Sequence, residues 1–521
     1  MRWTTAVFAL VMALVVAGCA DSGRQDSARP DSGAAQRERL VAEADAAPTP
    51  RLDWGRCDEP GLERYECARA QVPLDYARPD GETISLAVIR RPAADPARRI
   101  GTVFGAVGGP GGSGYDWARD SDLLSGELAQ RFDVVTFDQR GIGRSGQVRC
   151  FADDAAQQQF WDALRIPPVN ADQERAAAAA ARELAAECAE HSGAILPYLT
   201  SVDAARDLDL LRRAVGESQM NYFGYSYASY LGQVYGVLFP ERVRALQLGS
   251  MIDPQRYTND SVTALGDAAA GTEEVLTEFL RLCEAGGTGA CAFAGADVRQ
   301  RHTALLDRLE QAPIVIGSGT DTLAFSYHDL MLVHAALLYD PDQGWSALAQ
   351  LLAELERGTL GDPAAARAVL AQAPFSYDFL ESFVAITCAD NTLPRDPDRW
   401  PELTRELDRT APTFGGYWLY PLQACASWPL PEQGYPQRYT GPWTLRTQTP
   451  ALLINNRFDP ATPLPAAQRA QEALGHAHLM AIPGYGHNPT SPCVQAVRER
   501  YLIDLTMPDS GCPAAHVPFT N

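Results

Sequence analysis

Asn221-Tyr222-Phe223-Gly224-Tyr225-Ser226-Tyr227-Ala228-Ser229 is the stretch on which the reading of this 521-residue chain turns. An aromatic strand end runs into Gly-x-Ser-x-small and continues into the apolar, helix-like run Tyr230 to Phe239. That is the outline of a nucleophile elbow, a strained strand-to-helix turn that exposes a serine. Small residues two before and two after the serine let the strand and helix backbones pass closely, and Gly224 and Ala228 fill those places. Alanine at 228, where glycine is usual, is small enough for the turn but leaves the bare pattern unspecific. The order of the surrounding segments supplies the specificity.

Upstream, the apolar run Gly101 to Val107 reads as a buried strand. It passes straight into Gly108-Gly109-Pro110-Gly111-Gly112-Ser113-Gly114. The Gly-Lys-Ser/Thr of a phosphate cradle is missing there, so the loop suits an oxyanion loop that offers a backbone N–H to developing negative charge. Asp133 to Phe137 is a further strand, and the loop Asp138 to Ser145 after it carries Arg140, best read as a buried arginine that ties neighbouring loops. Downstream, Asp459 follows the strand Ala451 to Asn455, and His487 follows the strand His478 to Ile482 in Pro483-Gly484-Tyr485-Gly486-His487. Taken singly, an aspartate before proline is a common turn former and a loop histidine is commonly a surface residue. Together, three residues at strand C-terminal ends in the order Ser, Asp, His are the arrangement of α/β-hydrolases. The predicted fold class is therefore α/β, an α/β-hydrolase fold with a mainly parallel sheet, helices on both faces and a largely helical inserted cap. Core segments are expected over 51–252 and 449–521, and the cap, where helical periods replace the alternation, over 253–448.

At the N-terminus Arg2, the apolar run Ala6 to Ala17 and Val16-Ala17-Gly18-Cys19 read as a secretion signal over 1–18, too short to span a bilayer. Small residues before Cys19 resemble a bacterial lipobox, which implies cleavage before Cys19, lipidation of its thiol and anchoring to a membrane of the cell envelope. The segment 19–50 has few large apolar residues and is expected to be a disordered tether. Of eleven cysteines, ten remain for the exported body, an even number that argues for disulfides. Spacing does not fix their connectivity; neighbour pairing would give 57–67, 150–188, 283–291, 388–425 and 493–512. The net charge of −21 argues against nucleic acid as a partner. All 44 basic residues are arginine, which excludes Ser-Lys dyads and Schiff-base lysines. No metal or organic cofactor is implied.

Val107 to Gly114, Asp138 to Ser145, Gly224 to Ser229, Ala385 to Asp390, Cys425 with Trp428, Asp459-Pro460-Ala461-Thr462-Pro463 and Gly486-His487 together resemble the tripeptidyl and prolyl aminopeptidase family of secreted serine peptidases. The resemblance extends over about Cys57 to Cys512, and the chain is also similar to the cell-envelope, lipoprotein members of that family. Val107 stands where prolyl aminopeptidases commonly carry histidine, which points to the tripeptidyl branch. The resemblance implies an exopeptidase releasing tripeptides, short peptides or single residues from free N-termini of oligopeptides. Ser226 would be the nucleophile, His487 the base and Asp459 the residue that orients it. Backbone N–H groups of Gly109 and Tyr227 would form the oxyanion hole. Such an enzyme must also hold an ammonium, for which Asp390, Glu381 and Asp378 in the expected cap are candidates. The rival readings are an esterase or lipase with the same triad, indifferent to a free amine, and a binding module that does not use the serine.

Overall fold

The computed structural model describes residues 32–358, 361–371, 375–431 and 434–520. The expected signal sequence, Cys19 and the start of the tether lie outside them. Among the described residues the central sheet has nine strands in the order β1-β2-β3-β5-β4-β6-β7-β10-β11. These are β1 (Gly55–Arg56), β2 (Glu66–Pro73), β3 (Thr83–Arg91), β4 (Gly101–Ala106), β5 (Phe132–Phe137), β6 (Met220–Tyr225), β7 (Val243–Gly249), β10 (Ala451–Phe458) and β11 (Ala477–Tyr485). β8 (Ile314–Ser318) and β9 (Asp321–Phe325) form a separate hairpin. The first three strands join antiparallel, and from β5 to β11 every neighbouring pair is parallel.

Central strands buried on both faces read as continuous apolar runs, and β4 is buried at every position. Neighbouring residues feed opposite layers, as strand geometry requires. Tyr222, Leu246 and Leu453 join one core with the helices Ser201–Ala214 and Tyr227–Leu238. Phe223, Ala245 and Leu452 join the other with the helix Pro492–Asp504. This is the α/β-hydrolase fold expected from the sequence.

The helical insertion between β7 and β10 departs from a single cap over 253–448. Residues between Val275 and Ala366, with Phe414, build their own hydrophobic cluster. Val384, Trp400, Trp428 and Trp443 instead pack into the main core. The insertion is thus a helical lobe plus a return path that belongs energetically to the body. The helix Tyr377–Asp390 within that return path is buried on nearly every side, so it lacks the polar face that announces an amphipathic helix. Five disulfides join Cys57 to Cys67, Cys150 to Cys188, Cys283 to Cys291, Cys388 to Cys425 and Cys493 to Cys512.

One expectation fails within 19–50. Ser32–Ala46 is a helix docked on the body, with Leu40 and Ala44 fully buried. Arginines distant in sequence hold it. Arg213 donates to the carbonyls of Ala44 and Ala47 at 3.2 and 3.1 Å, filling acceptors that a helix C-terminus leaves open. Arg206 pairs with Glu43 and Arg242 with Asp45, both at 2.7 Å. Composition alone gave no sign of these partners.

Candidate active site

Ser226 sits between β6 and the helix Tyr227–Leu238 with φ 58° and ψ −132°, a conformation that an L-residue adopts only when its surroundings impose it. The imposition is visible. Its N–H donates to Gly249 O at 3.1 Å, and its carbonyl accepts from Ser229 N at 2.8 Å. A Cβ on Gly224 would lie 2.7 Å from Ala228 O and 2.9 Å from Ala228 Cβ, so the crossing of strand and helix needs glycine on the strand side.

The glycine loop leaves β4 and passes over this serine. A Cβ on Gly108 would come within 2.9 Å of Ser226 Cβ, and Gly109, at φ 117°, is covered by the ring of Phe379. The loop is held from behind. Asp138 accepts from Ser113 Oγ at 2.6 Å and from Arg144 N at 2.9 Å. Arg140 is buried, grips both oxygens of Asp207 at 2.7 Å and donates to the carbonyls of Pro73, Leu74 and Tyr198, the tying role read from the sequence.

Asp459 and His487 meet at the ends of β10 and β11. His487 Nδ1 lies 2.9 and 3.0 Å from the two Asp459 oxygens. The carboxylate also accepts from Ala461 N and Thr462 N at 3.0 and 2.9 Å, and from Thr462 Oγ1 at 3.0 Å. Two residues that sequence reasoning passed over set these loops. Asn455 Nδ2 donates to Thr462 O at 3.0 Å, and Asn456 Nδ2 donates to the carbonyls of Tyr485 and Gly486 at 2.9 Å each. Paired asparagines at the end of an apolar strand were the available signal. Ser250 Oγ accepts from Asn488 N at 2.9 Å, linking the end of β7 to the histidine loop.

The insertion closes over the same residues. His487 N donates to Tyr339 O at 3.0 Å, and the two rings meet edge to face with centroids 5.0 Å apart. Thr272 Oγ1 donates to Pro460 O at 2.6 Å, so the insertion also holds the aspartate loop. Between body and insertion lies a cavity of about 1200 Å³ lined by Gly108, Gly109, Ser226 and His487. Its walls are largely aromatic and aliphatic. Phe375, Phe379 and Phe383 form a stacked row along one side.

The three acids expected to hold an ammonium do not line this cavity. Asp390 is fully buried and accepts from Ser201 N at 2.8 Å and Ser201 Oγ at 2.5 Å. Burial pushes it up to about 7. Glu381 is also buried, which raises its pKa, and it accepts from Cys150 N, Gln157 Nε2 and Trp161 Nε1. Asp378 accepts from Gln157 Nε2 at 3.0 Å and faces Arg149. The turns of the helix Tyr377–Asp390 direct Glu381 and Asp390 into packing and leave Asp378 half-exposed beside Gln157 and Arg149.

Residues 107–285 match the α/β hydrolase fold family, and residues 411–513 match the family described as TAP-like protein. Over 493 residues the chain is 29% identical to the tripeptidyl aminopeptidase of Streptomyces lividans, covering 87% of this chain and 84% of that one. It is 30% identical over 466 residues to the serine protease Hip1 of Mycobacterium tuberculosis, covering 85% and 86%. It is also 30% identical over 521 residues to a protein of the same organism named carboxylesterase B, covering 94% and 95%. With likeness of this extent on an α/β-hydrolase fold, the chain belongs to the tripeptidyl-aminopeptidase-like family of α/β-hydrolases.

Proposed function

We propose that this protein is a serine exopeptidase that releases short peptides, tripeptides foremost, from the free N-termini of oligopeptides. The observation that carries the reading is the His487 ring, fixed through Nδ1 on Asp459 while it lines one cavity with the strained Ser226. With Nδ1 held, Nε2 is the nitrogen left to serve the serine. Ser226 Oγ attacks the scissile carbonyl carbon and gives its proton to His487 Nε2. The carbonyl oxygen, now negative, is met by the N–H groups of Tyr227 and Gly109. Collapse breaks the C–N bond as His487 returns the proton to the leaving amine. Water, deprotonated by the same ring, then cleaves the acyl-enzyme.

Export through the signal at 1–18 and a lipid on Cys19 complete the proposal, placing the enzyme in the cell envelope with oligopeptides as substrates. Five disulfides suit an oxidising compartment. The mass of the mature N-terminal peptide tests the anchor.

For the activity, kcat/KM is compared on an Ala-Pro-Ala chromogenic amide, its N-acetyl form and a short acyl ester, with Ser226→Ala as blank. Preference for the free tripeptide amide is expected. Turnover indifferent to acetylation would move the assignment to an esterase, the reading favoured by the apolar cavity walls and the carboxylesterase relative.

A further inference from the structure

The carboxylates of the cavity offer a peptide N-terminus no ready seat. Asp253 accepts from Gln255 N and Arg256 N and pairs with Arg469. Asp267 pairs with Arg256 and Arg469, both at 2.5 Å. Asp329 closes a capping box with Ser326. Asp162 is exposed at the rim and takes the Tyr377 hydroxyl.

A different set of oxygens keeps open lone pairs. The Tyr257 hydroxyl, Thr387 Oγ1 and Asn391 Oδ1 are shielded from solvent and all three residues line the cavity; among the described residues the two hydroxyls have only each other, and Asn391 Oδ1 has no hydrogen-bond partner. Thr387 is 2% exposed. A buried oxygen without a donor is costly, and a pair of hydroxyls supplies one hydrogen between them, so this wall has room for a ligand that brings donors. They are held together by the fold. Thr387 and Asn391 stand one turn apart at the end of the helix Tyr377–Asp390, joined by Asn391 N to Thr387 O at 3.0 Å. Ser261 ties Tyr257 to them, because its Oγ donates to Tyr257 O and accepts from Thr392 N, both at 3.0 Å. The Tyr257 ring packs on Tyr230, one helical turn beyond Ser226, with centroids 4.5 Å apart. A chain end held here reaches the serine through a short peptide.

We infer that Tyr257, Thr387 and Asn391 form the subsite for the free α-ammonium of the substrate, its three N–H donors meeting their three oxygens. The inference rests on the exopeptidase reading above. Asp390 lies behind this wall: it precedes Asn391, Ser201 occupies its oxygens, and its charged form, which grows as pH rises through about 7, acts electrostatically on Tyr257. Arg438, which also acts on Asp390, does not line the cavity. An N-acetyl group removes the charge and two of the donors and adds bulk.

The test is kcat/KM on Ala-Pro-Ala-amide and its N-acetyl form for the wild type, Thr387→Val, Asn391→Leu and Asn391→Asp, with melting temperatures to verify folding. Valine and leucine are each expected to cut the preference for the free amine about tenfold, mainly through KM. Asn391→Asp, which adds a carboxylate, retains or raises it. A preference unchanged in Thr387→Val and Asn391→Leu, in a wild type that discriminates, would overturn the subsite and leave the exopeptidase standing. If those two variants do not fold, Asn391→Asp decides, and a tenfold loss of preference in it would overturn the subsite. A wild type indifferent to acetylation would remove the exopeptidase reading itself, and the subsite with it.

Discussion

The Asp390 carboxylate takes both the backbone N–H and the hydroxyl of Ser201, at 2.8 and 2.5 Å. The same hydroxyl meets the Tyr227 phenol at 2.6 Å, so a chain of short bonds runs from the end of one helix to the residue after Ser226. Burial raises Asp390 to about 7, from 3.8 in an open chain. Between those values the folded protein holds a proton that the unfolded chain releases, so this group's contribution to stability is full below about 3.8 and is lost as pH rises through about 7. Replacing Asp390 by Asn removes that dependence. The difference in Tm, variant minus wild type, is expected to move in the variant's favour from pH 4 to pH 8; a difference flat with pH would contradict it.

The insertion carries a titration of opposite sign. His302 and His334 lie in its core with ring centroids 5.1 Å apart, and His302 Nε2 and both His334 nitrogens lack hydrogen-bond partners among the described residues. Burial pushes His302 down to about 4 and His334 well below its usual value. Here the unfolded chain takes protons that the folded one refuses. Stability is full above about 6.5 and is lost as pH falls towards 4. His334→Leu should therefore lose less Tm than the wild type between pH 7 and pH 4.5. Equal losses would mean that these rings do not govern acid sensitivity.

At the elbow, the crossing geometry sets the penalty for a single methyl. The space beside Gly224 is bounded by backbone, which cannot swing aside as a side-chain tip can. Gly224→Ala is expected to destabilise by about 1–3 kcal/mol, read as a lowered midpoint in urea with an unchanged slope. Full stability would show that strand and helix can part freely.

Thr462 Oγ1 supplies one of the three donors from the aspartate's own turn. Thr462→Val leaves the two backbone donors and the fold of the turn. A fall in kcat of about tenfold with little change in KM is expected, against about 10⁴ for Asp459→Asn. A fall in KM alone would separate Thr462 from the orientation of His487.

What the sequence displayed was whatever is written locally. A strand end, a glycine loop and two strand-end residues are each a few residues long, and their order carried the fold. Neighbour pairing of cysteines likewise describes all five bridges of the structure. What stayed hidden depends on partners far along the chain. The helix Ser32–Ala46 is held by Arg206, Arg213 and Arg242, and the helix Tyr377–Asp390 is buried too completely to show a period. The acids Asp390 and Glu381 were visible as residues but not as directions: their carboxylates are spent on Ser201 and Cys150.

Were Cys19 lipidated as proposed, the docked helix Ser32–Ala46 would shorten the leash. A free segment from 19 to 50 would let the body wander about 100 Å from a lipid on Cys19, at roughly 3.3 Å per residue. With the body beginning at Ser32, a lipid on Cys19 would be thirteen residue steps away, at most about 45 Å of chain. An enzyme moored in the proposed way would sample a thin layer next to the bilayer, and its peptides would come to it by diffusion along that layer.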